Sequence, residues 1–510
     1  MGAWDNLRKT IDFAKRNGVG AAFRAAQERL LQNQVPYTYE APAEDCLREQ
    51  RAFYSRRVME AKGKRLLKFS LLTPAYLTDK EQLTQLIESV KLQTYGEWEL
   101  IVADASPEHK RLEYTVAQAA RDGRVKYTHL PVNAGIAFNT NAALKSADGD
   151  YVVLVDHDDL LTPDALFELE KAITGGNGTA VDAKPDCLLV YSDEDKFSEE
   201  EGRRRYFEPH FKTEFDFDKF LSNNYICHLT AVRTDIARKL QLRSVYDGAQ
   251  DYDLFLRVVA EALFDESGRY LPPQEVRRVI RHVPKVLYHW RAHAQSTAAA
   301  PANKRYAHDA GKRALADFCT EVLLKVPGVK RGTTVQVTEL AHRGFYRAEF
   351  QPDLFAARPD VAVIGGKITN RKGVLTGGKT DAEGQVYYEG TPRGHSGGLQ
   401  HPAVLRQEAE IIDLRAVKIR PELIPLYEEI TGLPWHAPGE QKTEEEAKAE
   451  GPAENAEAAK EEEGVLFELS SLAAEADLKE RARTFCAMVR DRGYRILWDP
   501  QFSTVREEEE

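Results

Sequence analysis

From residue 68 onward, short apolar runs alternate with stretches whose apolar residues recur every three or four positions. Runs at 69–72, 98–103, 125–129 and 151–155 predict strands, and the patterns at 80–93, 112–121 and 135–146 predict helices. Strand, helix and strand again at this spacing predict βαβ units and a mostly parallel, buried sheet. Ligands of such sheets bind outside the carboxyl ends of the strands. Three predicted strand ends carry polar residues there: Thr73-Pro74-Ala75-Tyr76, Asp104-Ala105-Ser106 and Asp156-His157-Asp158-Asp159.

The flanks read differently. Residues 1–65 follow a helical pattern, and positions 1–34 hold six Lys or Arg (Arg8, Lys9, Lys15, Arg16, Arg24, Arg29) against three acids. A basic amphipathic helix either lies on an anionic membrane surface or packs on the next domain. Residues 301–351 are expected to form a helical connector. Residues 352–510 contain strand-like runs at 361–364, 411–414 and 494–498, broken by an insert at 440–463 rich in Ala, Glu and Lys and free of aromatics. That insert is expected to be a solvated, disordered linker, with an isolated helix as the alternative.

Charge sharpens this division. The chain has 510 residues, 42% hydrophobic and 30% charged, with a formal charge of −11. The insert carries ten Glu and three Lys, and residues 507–510 are four Glu; together they account for the entire −11. The remainder is near neutral, which argues against a nucleic-acid partner. Five scattered cysteines with no Cys-x-x-Cys pair fit a reducing compartment. No apolar run approaches the roughly 18 residues of a membrane span. The expectation is a cytoplasmic protein, with peripheral contact at the inner face of the plasma membrane through the N-terminal helix as the alternative to its packing on the body.

Tyr-Val-Val-Leu-Val at 151–155 runs into Asp156-His157-Asp158-Asp159. Carboxylates at this density behind a buried strand repel one another unless a cation sits among them, and hard oxygen ligands suit Mg²⁺ or Mn²⁺. Alternatively, Asp159 or Thr162 caps the helical pattern at 160–172.

The phrase Asn133-Ala134-Gly135-Ile136-Ala137-Phe138-Asn139-Thr140-Asn141, then Gly149-Asp150-Tyr151, then Asp156-His157-Asp158, resembles the family 2 glycosyltransferases. So do Leu71-Leu72-Thr73-Pro74-Ala75-Tyr76 and the phrase from Ser89 through Gln93-Thr94-Tyr95 to Trp98-Glu99-Leu100. The resemblance covers roughly residues 66–300. It implies a catalytic GT-A domain, an α/β fold with a Rossmann-like sheet flanked by helices. The closest flavour is that of bacterial O-antigen, cell-wall and rhamnosyltransferase-like enzymes.

Residue by residue, the resemblance implies that Thr73, Pro74, Tyr76, Asp104, Asn133, Gly135, Asn139 and Asp156 bind the donor nucleotide. Asp104 would accept the pyrimidine ring N–H, favouring a UDP- or dTDP-sugar. Asp156 and Asp158 match the Asp-x-Asp motif that holds Mn²⁺ or Mg²⁺ on the diphosphate. In Gly248-Ala249-Gln250-Asp251-Tyr252-Asp253, Asp251 keeps the position of the general base of inverting members, although Gln250 replaces the usual Glu; Asp253 is expected to be structural. In Tyr288-His289-Trp290-Arg291-Ala292-His293, the resemblance favours His293 as a further metal ligand, with His289 second. Asp193, Asp195, Tyr225, His228, His289 and Trp290 are candidate acceptor or sugar contacts, with core packing the alternative for Tyr225 and Trp290.

The implied reaction is metal-dependent, inverting transfer to a lipid-linked or growing glycan in cell-surface polysaccharide assembly. A nucleotidyltransferase would want a Gly-, Arg- or Lys-rich loop after the first strand, and 73–79 has none. A non-catalytic glycan-binding or partner-binding scaffold is the other alternative. The C-terminal region is expected to be a degenerate copy of the same fold. Oligomeric state is not legible.

Overall fold

The computed structural model describes residues 3–32, 37–108, 112–119, 123–175, 185–292, 301–432, 435 and 475–505. The acidic insert at 440–463 and His293 lie outside the described residues. Three helices come first: α1 (Ala3–Asn17), α2 (Val19–Gln32) and α3 (Glu44–Glu60).

The expected alternation follows. It runs β1 (Phe69–Ala75), α4 (Lys80–Lys91), β2 (Trp98–Asp104), α5 (Glu113–Ala119), β3 (Val125–His129), α6 (Ile136–Ser146) and β4 (Tyr151–Leu154). β1 lies between β2 and β4, parallel to both, so Phe69 faces Trp98 on one side and Tyr151 on the other. β3 extends the parallel set beside β2. These strands end together at Ala75, Asp104 and Leu154, which brings their polar followers to one edge. Nearly every residue of β1, β2 and β4 is buried, because helices cover both faces.

β5 (Leu160–Leu161), α7 (Ala165–Thr174), β6 (Leu189–Glu200), β7 (Arg203–His210), α8 (Phe217–Phe220), β8 (Thr230–Arg233) and α9 (Thr234–Leu240) come next. After them come α10 (Gln250–Leu263), α11 (Pro273–Val279) and β9 (Ile280–Arg291). β8 runs antiparallel to β4 and to β6, and β9 returns parallel to β6. This half therefore mixes directions, because β8 turns the sheet back on itself before β6 and β9 restore a parallel pair.

The segment expected as a helical connector is helical only as far as α12 (Pro301–Glu321), apart from one short turn (Leu323–Lys325). A hairpin follows, β10 (Thr334–Glu339) with β11 (Tyr346–Gln351). The reason is the period-two pattern of Thr-Val-Gln-Val-Thr-Glu against Tyr-Arg-Ala-Glu-Phe-Gln. It puts Val337, Tyr346, Ala348 and Phe350 in the core.

Beyond α13 (Leu354–Ala357), a second sheet joins β12 (Val361–Thr369) to β13 (Leu375–Gly377), β17 (Val417–Ile419) and β18 (Arg495–Val505), with β15 (Gln407–Glu408) on the far side of β18. β14 (Lys379–Thr380) pairs with β16 (Ile411–Ile412). β12 and β18 are parallel, and the chain between them includes α14 (Ile424–Thr431) and α15 (Glu475–Asp491).

Candidate active site

At the end of β1 the Thr73 hydroxyl is buried with no hydrogen-bond partner among the described residues, while Tyr76 is exposed. Asp104 at the end of β2 is fully buried. Its Oδ1 accepts the Ser106 N–H (2.9 Å), and Oδ2 accepts the Leu112 N–H (2.9 Å) and the Tyr127 hydroxyl (2.9 Å). The first of these is an Asx turn leaving the strand. Oδ1 keeps acceptor capacity for one more donor.

Asn133, Gly135 and Asn139 lie together at the start of α6. Asn133 Oδ1 accepts from the Gly135 N–H (3.3 Å) and from Asn139 Nδ2 (3.0 Å). Gly135 has φ +101°, and a Cβ there would fall 2.0 Å from Asp247 Oδ2. Only glycine fits, because Asp247 reaches across to accept the Ala137 N–H (3.1 Å) at the open helix end. Sequence reasoning missed Asp247. It lies three residues before the helix that holds Asp251, so this one contact ties α6 to the loop before α10.

The Asp cluster divides by environment. Asp159 is fully buried: Tyr288 donates its hydroxyl to Oδ2 (2.6 Å) and the Arg291 N–H reaches Oδ1 (2.7 Å). Burial, then the charges of Asp158 and Asp156, push its carboxyl well above the ordinary range. It is a structural group.

Asp156 and Asp158 remain partly open. Enclosure by the protein raises the Asp156 carboxyl, His228 opposes the shift, and Asp158 and Asp251 add to it. The Asp156 N–H donates to the Tyr288 oxygen (3.2 Å), so one tyrosine pins both ends of this turn. Arg291 holds the turn from behind, with Nε on the Asp158 carbonyl (2.5 Å) and its other nitrogens on Glu199 and Gln85.

The run Ser192-Asp193-Glu194-Asp195 sorts differently from expectation. In the β6–β9 pair Glu194 faces Tyr288, Asp195 faces His289 and Lys196 faces Trp290. Neighbouring residues on a strand point to opposite faces, so Glu194 shares the face of Tyr288 and Trp290, and Asp195 does not. The expected site contacts Asp195 and His289 instead bond each other (2.5 Å) on the reverse face, where Tyr37 donates to Asp195 (2.7 Å) and Tyr39 packs on His289. Asp193 accepts the Lys212 N–H and pairs with His282, each at 2.8 Å.

Tyr225 belongs to the core. It is 1% exposed, its oxygen takes the Asp216 N–H (2.8 Å), and it packs edge-on against Tyr191 and Phe220. Trp290 does reach the site face, 6.1 Å from the His228 ring and with the Lys196 ammonium 5.3 Å from its own ring centre.

Glu194 is the acid that sequence reasoning overlooked. One of its oxygens, Oε2, receives both the His228 N–H (3.0 Å) and His228 Nδ1 (3.3 Å); the other faces His210 Nδ1 (3.4 Å) and Lys212 Nζ (3.7 Å). Although burial pushes it upward, Lys212 and the two histidines hold its carboxyl well below the ordinary range. Against the downward push of its own burial, Cys227 and Glu194 hold the His228 ring well above its usual value.

Asp251 sits in the first turn of α10, with Asn224 Nδ2 on its Oδ2 (2.9 Å). Asp253, expected to be structural, is buried and bonds Arg257 Nε (3.2 Å) and Arg243 Nε (3.1 Å). Asp156 thus has His228 Nε2 at 3.8 Å and feels the charges of Asp158 and Asp251.

A divalent cation fits this donor set in kind. Asp156 and Asp158 supply hard oxygens, and no hydrogen-bond donor among the described residues meets the Asp156 carboxylate. Among those residues, no group of three or more His, Cys, Asp or Glu side chains already converges on a metal position. Any further ligands must come from the substrate, from water or from a rearranged side chain.

Comparisons with known proteins agree on this half of the chain. The family model described as Glycosyl transferase family 2 matches residues 70–241. "Uncharacterized protein y4gI" of Sinorhizobium fredii is 38% identical over 250 residues, covering 48% of this chain and 25% of that protein. "O-antigen biosynthesis protein RfbC" of Myxococcus xanthus is 29% identical over 338 residues, covering 64% of this chain and 24% of that protein. The chain thus spans about a quarter of the length of these two relatives. Among solved structures, S. aureus TarS 1-349 in complex with UDP aligns with TM-score 0.35 and 19% identity, covering 51% of this chain and 67% of that one.

Proposed function

We propose, from the match of residues 70–241 to the Glycosyl transferase family 2 model, that the chain transfers a sugar from a UDP- or dTDP-sugar to a glycan hydroxyl with inversion, in cell-surface polysaccharide assembly. The observation that carries this reading is the common sheet edge at which the parallel strands β2 and β4 end. Asp156 and Asp158 follow the end of β4, Asp104 ends β2, and Asp251 in the first turn of α10 adds its charge to the surroundings of Asp156.

In the proposed reaction Asp104 accepts the pyrimidine N–H with the spare capacity of Oδ1. Asp156 and Asp158 hold the cation. Bound Mn²⁺ or Mg²⁺ supplies charge neutralisation to the departing diphosphate. Asp251, fixed through Oδ2 by Asn224, takes the proton of the acceptor hydroxyl as that oxygen attacks the anomeric carbon. Trp290, beside His228, offers a flat apolar face to a sugar ring.

The acceptor we propose is a lipid-linked or growing glycan, and the reading places the protein in the cytoplasm. Peripheral membrane contact through α1 and α2 is part of it. Val19, Phe23 and Leu30 are exposed, and no helix among the described residues is long and apolar enough to cross a membrane. We read residues 352–510 as a degenerate copy of the fold that binds no donor of its own.

The direct test is turnover of UDP- and dTDP-sugars with oligosaccharide acceptors and Mn²⁺, with the product linkage read by proton NMR. Inverted anomeric configuration is expected. Retained configuration, or no nucleotide release from any pair, contradicts the reading.

A further inference from the structure

We infer that His228, oriented by Glu194, is a ligand of the divalent cation held at Asp156; the inference rests on the donor-site reading above and extends its metal centre to a residue that the Asp-x-Asp motif does not include. Four observations carry it.

First, Glu194 fixes the ring. A carboxylate only accepts, so the ring nitrogen facing it, Nδ1 at 3.3 Å, carries the hydrogen. The backbone N–H of the same residue bonds the same oxygen at 3.0 Å, which locks the side chain to its own main chain. Nε2 is then the nitrogen left for another partner. A histidine that gives one N–H to a carboxylate and offers the other nitrogen outward is the usual arrangement around a metal ion.

Second, the distance suits a shared ion. His228 Nε2 lies 3.8 Å from Asp156 Oδ2. Two donors each about 2.1 Å from one ion stand about 3.0 Å apart at a right angle and about 4.2 Å apart when opposed. The observed separation falls between these limits. A cation there takes the place of the Nε2 proton, which leaves to solvent.

Third, Tyr288 sets ligand and carboxylate in register. The His228 ring stacks on the Tyr288 ring at 4.9 Å and 10°, and the Tyr288 hydroxyl group bonds both the Asp156 N–H and the Asp159 carboxylate. Histidine and Asp-x-Asp turn are thus referenced to one rigid aromatic residue.

Fourth, two other histidines near the turn are placed worse. His289 faces Asp195 on the reverse side of the sheet. His157 lies 3.7 Å from Asp158 through Nδ1, and no hydrogen bond to that nitrogen fixes its ring among the described residues.

The test uses the full chain with Mn²⁺ alone and with Mn²⁺ plus UDP. Pulsed EPR reads nitrogen coupling to the ion, and calorimetry reads affinity. Nitrogen coupling is expected in the unmodified protein, lost in His228→Gln and kept in His157→Gln. Glu194→Gln is expected to weaken Mn²⁺ binding about 10- to 100-fold. This second variant leaves the ligand itself intact, so it still decides the matter if His228→Gln folds poorly. Coupling that survives in His228→Gln, its absence from the unmodified protein, or unchanged Mn²⁺ affinity in Glu194→Gln overturns the inference. Glycosyl transfer that continues in excess chelator would overturn this metal centre, and with it the cation in the proposed reaction, while sugar transfer itself would stand. Nitrogen-coupled Mn²⁺ without any turnover would do the reverse.

Discussion

Arg358 gives the sharpest stability prediction, because it fastens the C-terminal region to the segment that carries the site. Its side chain is fully buried, bonding Asp218 through two nitrogens (3.0 and 3.2 Å) and Asp360 through two more contacts (2.8 and 2.7 Å). Asp218 belongs to α8, a few residues before Asn224 and His228. Asp360, shared with Arg495, is held below the ordinary carboxylate range despite its burial; Asp218 is pushed above it by burial, with Arg358 opposing. Arg358→Met keeps most of the side-chain volume and removes the charge, leaving Asp218 buried with only the more distant help of Arg406. Breaking a buried pair in this way costs about 3–5 kcal/mol. With a urea slope of about 3 kcal/mol per M, the midpoint should fall by about 1–1.7 M. Adding Asp218→Asn should recover more than half of the loss, because it removes the uncompensated charge. A buried carboxyl with a raised folded-state value costs stability when ionised, and that cost disappears as pH falls through the value. The gap between variant and wild type should therefore narrow on acidification. Equilibrium urea unfolding followed by tryptophan fluorescence and circular dichroism measures all three effects. A loss below about 1 kcal/mol, the scale of an exposed pair, or no recovery in the double variant, would refute the reasoning.

Other predictions concern the site. Asp251→Asn should leave donor binding intact and lower transfer by about 10²–10⁴-fold, and wild-type turnover in this variant would move the base elsewhere. Asp156→Ala and Asp158→Ala should abolish Mn²⁺-dependent nucleotide binding while the far-UV spectrum is unchanged; unchanged affinity in calorimetry would remove the residue from the metal site. Gly135→Ala should displace Asp247 and lower the melting temperature, since the new Cβ cannot share space with Asp247 Oδ2; a variant as stable as wild type would show that this close approach does not matter. The full chain should bind one donor equivalent, and two equivalents in calorimetry would sink the reading of residues 352–510 as a degenerate copy.

The strand ends were legible because buried parallel strands leave a strong mark, an apolar run closed by polar residues. Asp104, Asp156 and Asp251 all lie at such closures or helix starts. The sheet beyond β4 was not legible to the same degree: β6 reads Leu-Val-Tyr-Ser-Asp-Glu-Asp-Lys, and its acidic stretch carries no apolar alternation to say which acid faces which side. The choice between Glu194 and Asp195 is made by the pairing with β9, a contact some ninety residues away along the chain. Asp247 was hidden for a similar reason, since its partner at the start of α6 lies 110 residues away along the chain. The hairpin after α12 had a period-two signature that the 21-residue helical pattern before it overshadowed. His293 and the acidic insert lie outside the described residues, so their expected roles gain nothing here.

The account's central claim is that this site binds a pyrimidine nucleotide on a divalent cation. Thermal unfolding of the full chain with UDP, dTDP and GDP, each with and without Mn²⁺, tests it most directly. UDP or dTDP at a hundredfold excess over Kd should stabilise the protein by about 2.7 kcal/mol, with Mn²⁺ required and GDP weaker. No shift with either pyrimidine nucleotide, or an equal shift with GDP, would contradict it.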